Sequence, residues 1–110
     1  MKKIKLKPLS VNNAWQGRRY KTVDYKAYEF KMHQCLPDDV TIPEGLLELN
    51  IVFAVSNKAS DIDNPLKPFL DILQKKYDFN DSRIYKLIVE KKHVSKNSEY
   101  VEFSINKYEA

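Results

Sequence analysis

Asp61 and Asp63 stand two residues apart in Ser60-Asp61-Ile62-Asp63-Asn64-Pro65-Leu66-Lys67, and Asn80-Asp81-Ser82 answers them further along the chain. Carboxylates gathered at short range repel one another unless a cation holds them. Hard divalent ions such as Mg²⁺ take oxygen ligands of this kind, with water completing the shell. Such an ion can polarise a phosphoryl oxygen, lower the pKa of an attacking water and steady a leaving oxygen. Lys67 beside it can neutralise charge developing on a phosphate. A second reading needs no chemistry: D-x-D-N is a strand exit with a helix cap, and Asp81 is an ordinary turn residue. Pattern alone leaves both open.

Charge favours a polyanionic partner. The chain of 110 residues has a formal net charge of +4, and the positive charge is concentrated at the start. Lys2, Lys3, Lys5, Lys7, Arg18, Arg19, Lys21, Lys26 and Lys31 face only Asp24 and Glu29 in the first part of the chain, so the remainder is net negative. A solvated lysine-rich face and a phosphate-facing segment both fit this distribution. Nucleic acid is the candidate partner that an acidic knot beside a basic segment suggests.

Several classes are excluded. Two glycines leave little room for phosphate loops, and neither G-x-G-x-x-G nor G-K-[ST] occurs. Cys35 is the single cysteine, so no internal disulfide forms; it is expected to be a small buried hydrophobe near a helix end in a reducing, cytosolic setting. Met1-Lys2-Lys3 is basic but precedes no apolar core of signal-peptide length. The longest apolar run, Ile51 to Val55, is far short of a membrane span. His33 and His93 have no partner at ligand spacing, and Trp15 suits either base stacking or loop anchoring.

The elements that must position these residues follow from periodicity. One domain spans 1–110. Ile4 and Leu6 alternate with lysines as an edge strand that Pro8 closes, and Val11 to Lys21 reads as a polar, turn-rich loop. Thr22 caps a helix running to about Leu36, with Asp24 in its first turn and Tyr25, Tyr28, Met32 and Leu36 on one side. Leu47, Leu49, Ile51, Phe53 and Val55 mark one face of a strand, and Val52 and Ala54 make its other face partly apolar, as in a central strand. Leu66, Phe69, Leu70, Leu73 and Tyr77 recur at helical spacing. Ile84–His93 and Tyr100–Lys107 read as two strands joined by a hairpin turn at Lys96-Asn97-Ser98. The fold class is α/β (α+β), a four-stranded mixed sheet with two main helices in the order β-α-β-α-β-β.

On this reading Asn64 caps the second helix and Pro65 is its first residue. Asp63, Lys67 and Asp71 then stack on one outward side. Pro68 conflicts with that start, because it lacks a donor and crowds the carbonyl of Asn64. A short 3₁₀ turn ahead of the helix relieves the conflict and moves Lys67 off the line.

The stretch S-D-I-D-N-P-L-K-P-F-L-D-I-L, followed by D-F-N-D-S-R-I, resembles the signature of the RusA family of Holliday-junction resolvases. The early S-V-N-N-A-W-Q-G-R-R-Y is similar to the Asn- and Arg-containing loop these proteins carry after their first strand. The likeness covers most of the chain from Leu6 to Phe103. It implies that Asp61, Asp63 and Asp81 are metal-binding catalytic carboxylates, that Lys67 is the catalytic lysine, and that Asp71 is supporting. Asn80 stands where the family usually has an acidic residue, and Pro65 and Pro68 stand where it has helix formers.

The resemblance implies a crossover junction endodeoxyribonuclease using Mg²⁺, with Mn²⁺ as a substitute, and no nucleotide cofactor. Its substrate is a four-way junction or other branched DNA, and phage or prophage carriage is common in the family. A junction has two-fold symmetry, so a homodimer with one site per subunit suits paired nicks. Asn13, Arg18, Arg19 and Lys21 are the expected DNA-binding residues, gripping backbone phosphates. The competing classes are a non-catalytic branched-DNA-binding module and a restriction-type nuclease using Glu90 and Lys92. Solvent-facing alternation explains Glu90-Lys91-Lys92 better.

Overall fold

A computed structural model of the chain describes residues 1–9, 15–16 and 20–109. Nine elements follow in order: β1 (Lys2–Ile4), β2 (Trp15–Gln16), β3 (Tyr20–Lys21), α1 (Val23–Cys35), β4 (Leu47–Val55), α2 (Leu66–Tyr77), a 3₁₀ turn (Asp81–Arg83), β5 (Ile84–His93) and β6 (Tyr100–Lys107). The main sheet has the order β1-β6-β4-β5, while β2 and β3 form a separate small ladder. This is the expected single α+β domain with a mixed sheet and two helices. The loop over Val11–Lys21 contains the β2–β3 ladder, which the turn-rich composition did not suggest.

β4 is central because both of its edges find strands. It pairs parallel with β5 and antiparallel with β6. Leu49, Ile51, Phe53 and Ala54 are buried. Leu47, Leu49, Ile51, Phe53 and Val55 belong to one core cluster with Phe69, Ile72 and Leu73 of α2 and Tyr25, Tyr28, Met32 and Leu36 of α1. Both helices therefore cover the same face. Phe69 anchors α2 there, its ring edge-on to Phe53 and Phe103 with centroids 5.8 Å away in each case. Aromatic pairs of this geometry add to the burial of their large apolar surface.

α1 begins as its sequence requires: Thr22 Oγ1 accepts from the Tyr25 N–H at 3.1 Å, and Asp24 lies in the first turn. The buried row Tyr25, Tyr28 and Met32 continues to Leu36 rather than Cys35. Cys35 is exposed, which corrects the expectation of a buried thiol. It lies on the last helical turn to one side of that row.

The expected hairpin between β5 and β6 is also corrected. A turn does form, with the Ser98 N–H donating to the Ser95 carbonyl and Asn97 at φ 72°. The two strands are not neighbours, however: β4 lies between them. The backbone groups along both edges of a buried β4 need strand partners, and α2 already carries the chain from β4 to a parallel β5. β6 therefore crosses the end of β4 to pair on the other side. Among the described residues, no helix is long and apolar enough to cross a membrane.

Candidate active site: the acidic loop after β4

The loop that carries Asp61 and Asp63 leaves the C-terminal end of β4 and is pinned at several points. Asn57 Oδ1 accepts from the Ala59 N–H at 2.9 Å, and the Ser60 N–H donates to the Asn57 carbonyl. Ser56 donates its hydroxyl to Glu99 at 2.8 Å, and His93 Nε2 lies 3.2 Å from the Ser56 carbonyl. The Glu99 carboxyl is held below its usual range by its own backbone N–H and by the Ser56 hydroxyl. Lys91 reaches from β5 to donate to the carbonyls of Ser60, at 2.7 Å, and Lys58. Sequence reasoning passed over Lys91. Its signal was the alternation itself, which turns Lys91 to the side opposite Glu90 and Lys92.

Asp61, Ile62 and Asp63 are exposed at the end of this loop. Asn64 donates to Asp61 at 3.5 Å and does not cap the helix. The Leu66 N–H instead donates to the Asp63 carbonyl at 3.1 Å, an i→i+3 bond, and α2 begins at Leu66. That tight turn relieves the Pro68 conflict. Pro68 falls in the first helical turn, where its missing N–H has no partner to lose. One expectation changes with it: Asp63 lies outside the helix, so it is not stacked over Lys67 and Asp71.

Lys67 and Asp71 do stack, with Nζ 3.4 Å from Oδ1 and Lys67 68% exposed. A pair this exposed contributes about 0–1 kcal/mol, so Asp71 holds the Lys67 ammonium only weakly. A lysine in the first turn also opposes the helix dipole, which favours acidic residues there. The partner it does have is Asp71, one turn further along the helix.

Asp81 is placed elsewhere. Its N–H donates to Gln74 Oε1 at 3.0 Å beyond the end of α2, and Asn80 Oδ1 caps the 3₁₀ turn through the Ser82 N–H. The parallel register sets Ile84 beside Leu47 and His93 beside Val55. Asp81 therefore sits at the start of β4, and Asp61 and Asp63 sit beyond its end. The nine residues of β4 span roughly 25–30 Å. One chain thus brings Asp61, Asp63 and Lys67 into one region and keeps Asp81 at the other end of the strand. No group of three acidic, His or Cys side chains able to hold a metal occurs among the described residues. Asp61 and Asp63 offer the oxygen donors that Mg²⁺ or Mn²⁺ prefers, which fits the ion in kind and supplies part of its shell.

The expected DNA-binding residues Asn13, Arg18 and Arg19 lie outside the described residues. Lys21 is held 2.9 Å from Glu29, which also takes Lys75 at 3.0 Å. Burial raises the Glu29 carboxyl, but the hydrogen bonds and charges of Lys21 and Lys75 more than offset this and hold it below its usual range. This clamp ties α1 to α2 beside Asp71, and burial together with Asp71 and Glu29 pushes the Tyr25 hydroxyl up to about 12. Glu90 and Lys92 project from the same side of β5, both exposed and 3.9 Å apart.

A mixed sheet thus carries an exposed aspartate pair beyond a strand end, with the exposed Lys67 at the start of the following helix. The sequence matches the family model of the endodeoxyribonuclease RusA over residues 7–106, and the chain belongs to that family. The protein is thus placed among endodeoxyribonucleases. No curated relative matches it.

Proposed function

We propose that the protein is a metal-dependent, structure-specific endodeoxyribonuclease. In this reading it works as a homodimer that resolves Holliday junctions by paired symmetric nicks, in cytoplasmic DNA recombination and repair. The observation that carries the reading is the exposed Asp61–Asp63 pair, pinned at the end of β4 within a chain of the RusA family. Two carboxylates left open to solvent beside a lysine favour a cation and a phosphate over a packing role.

Asp61 and Asp63 would hold Mg²⁺ or Mn²⁺, whereas Asp81, at the far end of β4, lies out of reach of the same ion within one chain. When bound, the ion supplies Lewis acidity toward the phosphoryl oxygen and acidifies a water. The chain supplies the rest. Lys91 and Asn57 fix the loop, so that the two carboxylates need little reorganisation. Lys67 leaves Asp71 and pairs with the non-bridging oxygens as negative charge grows on them. Asn13, Arg18, Arg19 and Lys21 bind backbone phosphates and give affinity without sequence choice. For Lys21 this means sharing its charge between Glu29 and the DNA.

Labelled synthetic four-way junction tests this directly. Nicking should appear on addition of Mg²⁺ and stop with chelator. Binding without nicking would leave a junction-binding module, and chelator-resistant nicking would exclude the mechanism. Loss of nicking in Glu90→Ala would favour the restriction-type alternative; little change is expected.

A further inference from the structure

Phe30 is 65% exposed on the side of α1 turned away from the buried row of Tyr25, Tyr28 and Met32. An isolated exposed apolar residue is ordinary, so the setting of this ring decides what it means. Lys26 lies one turn before it on the same helix, and His33 and Gln34 lie one turn after. With Glu29 and Lys75 of α2 these residues line an open hollow of about 630 Å³, within the roughly 300–1,000 Å³ of small-ligand sites. The ring gains nothing from the core, and polar donors surround it.

The hollow continues toward the acidic loop. Lys75 pairs with Glu29, and one turn earlier on each helix the charge of Asp71 reaches Tyr25. α1 and α2 therefore run side by side in the same direction. Lys75 also lines a second hollow with Lys21, Tyr25, Asp71 and Gln74. The two hollows form a trough that leads back along α2 to Lys67, about 12 Å away by helix rise. Glu29 Oε2 accepts from Lys21 at 2.9 Å and from Lys75 at 3.0 Å. Two ammonium groups converging on one carboxylate leave positive charge to spare, and Lys26 and Lys67 add to it. Glu29 and Asp71, the carboxylates lining these hollows, are already paired with these lysines.

A positive trough with an aromatic ring standing in it suits single-stranded nucleic acid: the cations follow the phosphates and the ring stacks on a base. Paired bases in a duplex cover one another's faces, so only an unpaired base offers its face to Phe30. A protein partner fits this surface less well, because lysine and glutamate are depleted at the centres of protein interfaces. We propose that the trough between α1 and α2 seats an unpaired stretch of the DNA strand that leaves the acidic loop, with one base stacked on Phe30 and a flanking phosphate between Lys26 and Lys75. The choice of DNA rests on the nuclease reading above; the stacking site itself does not require cleavage.

The test is binding of a single-stranded oligodeoxynucleotide carrying 2-aminopurine to the full chain without divalent metal, read by the fluorescence of that base. The wild type should bind and change its emission. Phe30→Ala and Phe30→Leu should each weaken binding on the order of tenfold and lose the emission change, while Phe30→Trp should bind at least as tightly as wild type. All three should melt like the wild type, since the ring lies outside the core. Lys26→Ala should lower the slope of log affinity against log salt by about 0.7, as for one phosphate contact on a single strand. Affinity indifferent to Phe30→Ala overturns the site, and Phe30→Leu binding as tightly as wild type overturns the stacking. Phe30 variants that change sedimentation instead of oligonucleotide binding assign the ring to a protein interface and overturn the proposal. A wild type that binds through Phe30 but does not nick junctions removes the nuclease reading alone. One that nicks with strand binding indifferent to Phe30 removes this site alone.

Discussion

β4 and β5 are neighbouring strands of similar length, yet they live in different surroundings. β4 has strands on both sides and helices above it, and Leu47, Leu49 and Phe53 are fully buried. Among the described residues β5 has one neighbouring strand, and most of its side chains reach solvent. Composition already hints at this, since β4 is apolar on both faces and β5 carries Lys86, Glu90, Lys91 and Lys92. Position in the sheet completes the contrast between an enclosed strand and an edge strand. The ends of β4 differ in the same way. One carries a pinned, open acidic loop, and the other carries Asp81 with its backbone tied to α2.

The contrast can be broken first at the acidic end. Lys67→Ala should lower nicking on the order of a hundredfold or more, as expected for loss of a group that stabilises transition-state charge, with melting temperature little changed. Equal loss of fold and activity would make Lys67 structural.

The strands themselves come next. Phe53→Ala on β4 should destabilise the domain by about 3–5 kcal/mol in denaturant titration, the usual cost of emptying a buried aromatic site. Leu87→Ala on β5, where the side chain is 39% exposed, should shift the denaturant midpoint little. Similar costs at the two positions would remove the distinction.

A smaller effect is expected at the α1–α2 clamp. Glu29→Gln should cost about 1 kcal/mol. Because the Glu29 carboxyl titrates below its ordinary value near 4.5 in the folded chain, its contribution is present above that value. It is lost as pH falls through the lower folded one. The stability difference between Glu29→Gln and wild type should therefore shrink below about pH 4; a gap that widened in acid would contradict the clamp. Smallest of all, Asp71→Asn should change stability by about 0.5 kcal/mol or less, as for other exposed helical pairs.

Much of this was legible in the residues. Alternation in Leu47–Val55 and the apolar second face of Val52 and Ala54 located the central strand. Thr22 and Asp24 located the start of α1. The clash at Pro68 foretold the tight turn before α2. What the sequence could not convey was long-range pairing. Nothing local in Lys96-Asn97-Ser98 distinguishes a hairpin from a crossing past β4, because the choice depends on which edge of β4 is already filled. The separation of Asp81 from Asp61 and Asp63 has the same origin: motif spacing counts residues, whereas a parallel strand pair sets them at opposite ends. Cys35 shows a narrower limit, since a residue beside a helix's buried row differs from one in it by part of a turn.

The account depends most on the two aspartates at the end of β4. Asp61→Asn and Asp63→Asn should be compared with wild type on the same labelled four-way junction, with binding and Mg²⁺-dependent nicking measured side by side. Each variant is predicted to bind the junction as tightly as wild type, or more tightly, and to lose nicking by on the order of a thousandfold or more. Continued nicking in either variant would contradict the assignment of this loop as the catalytic centre.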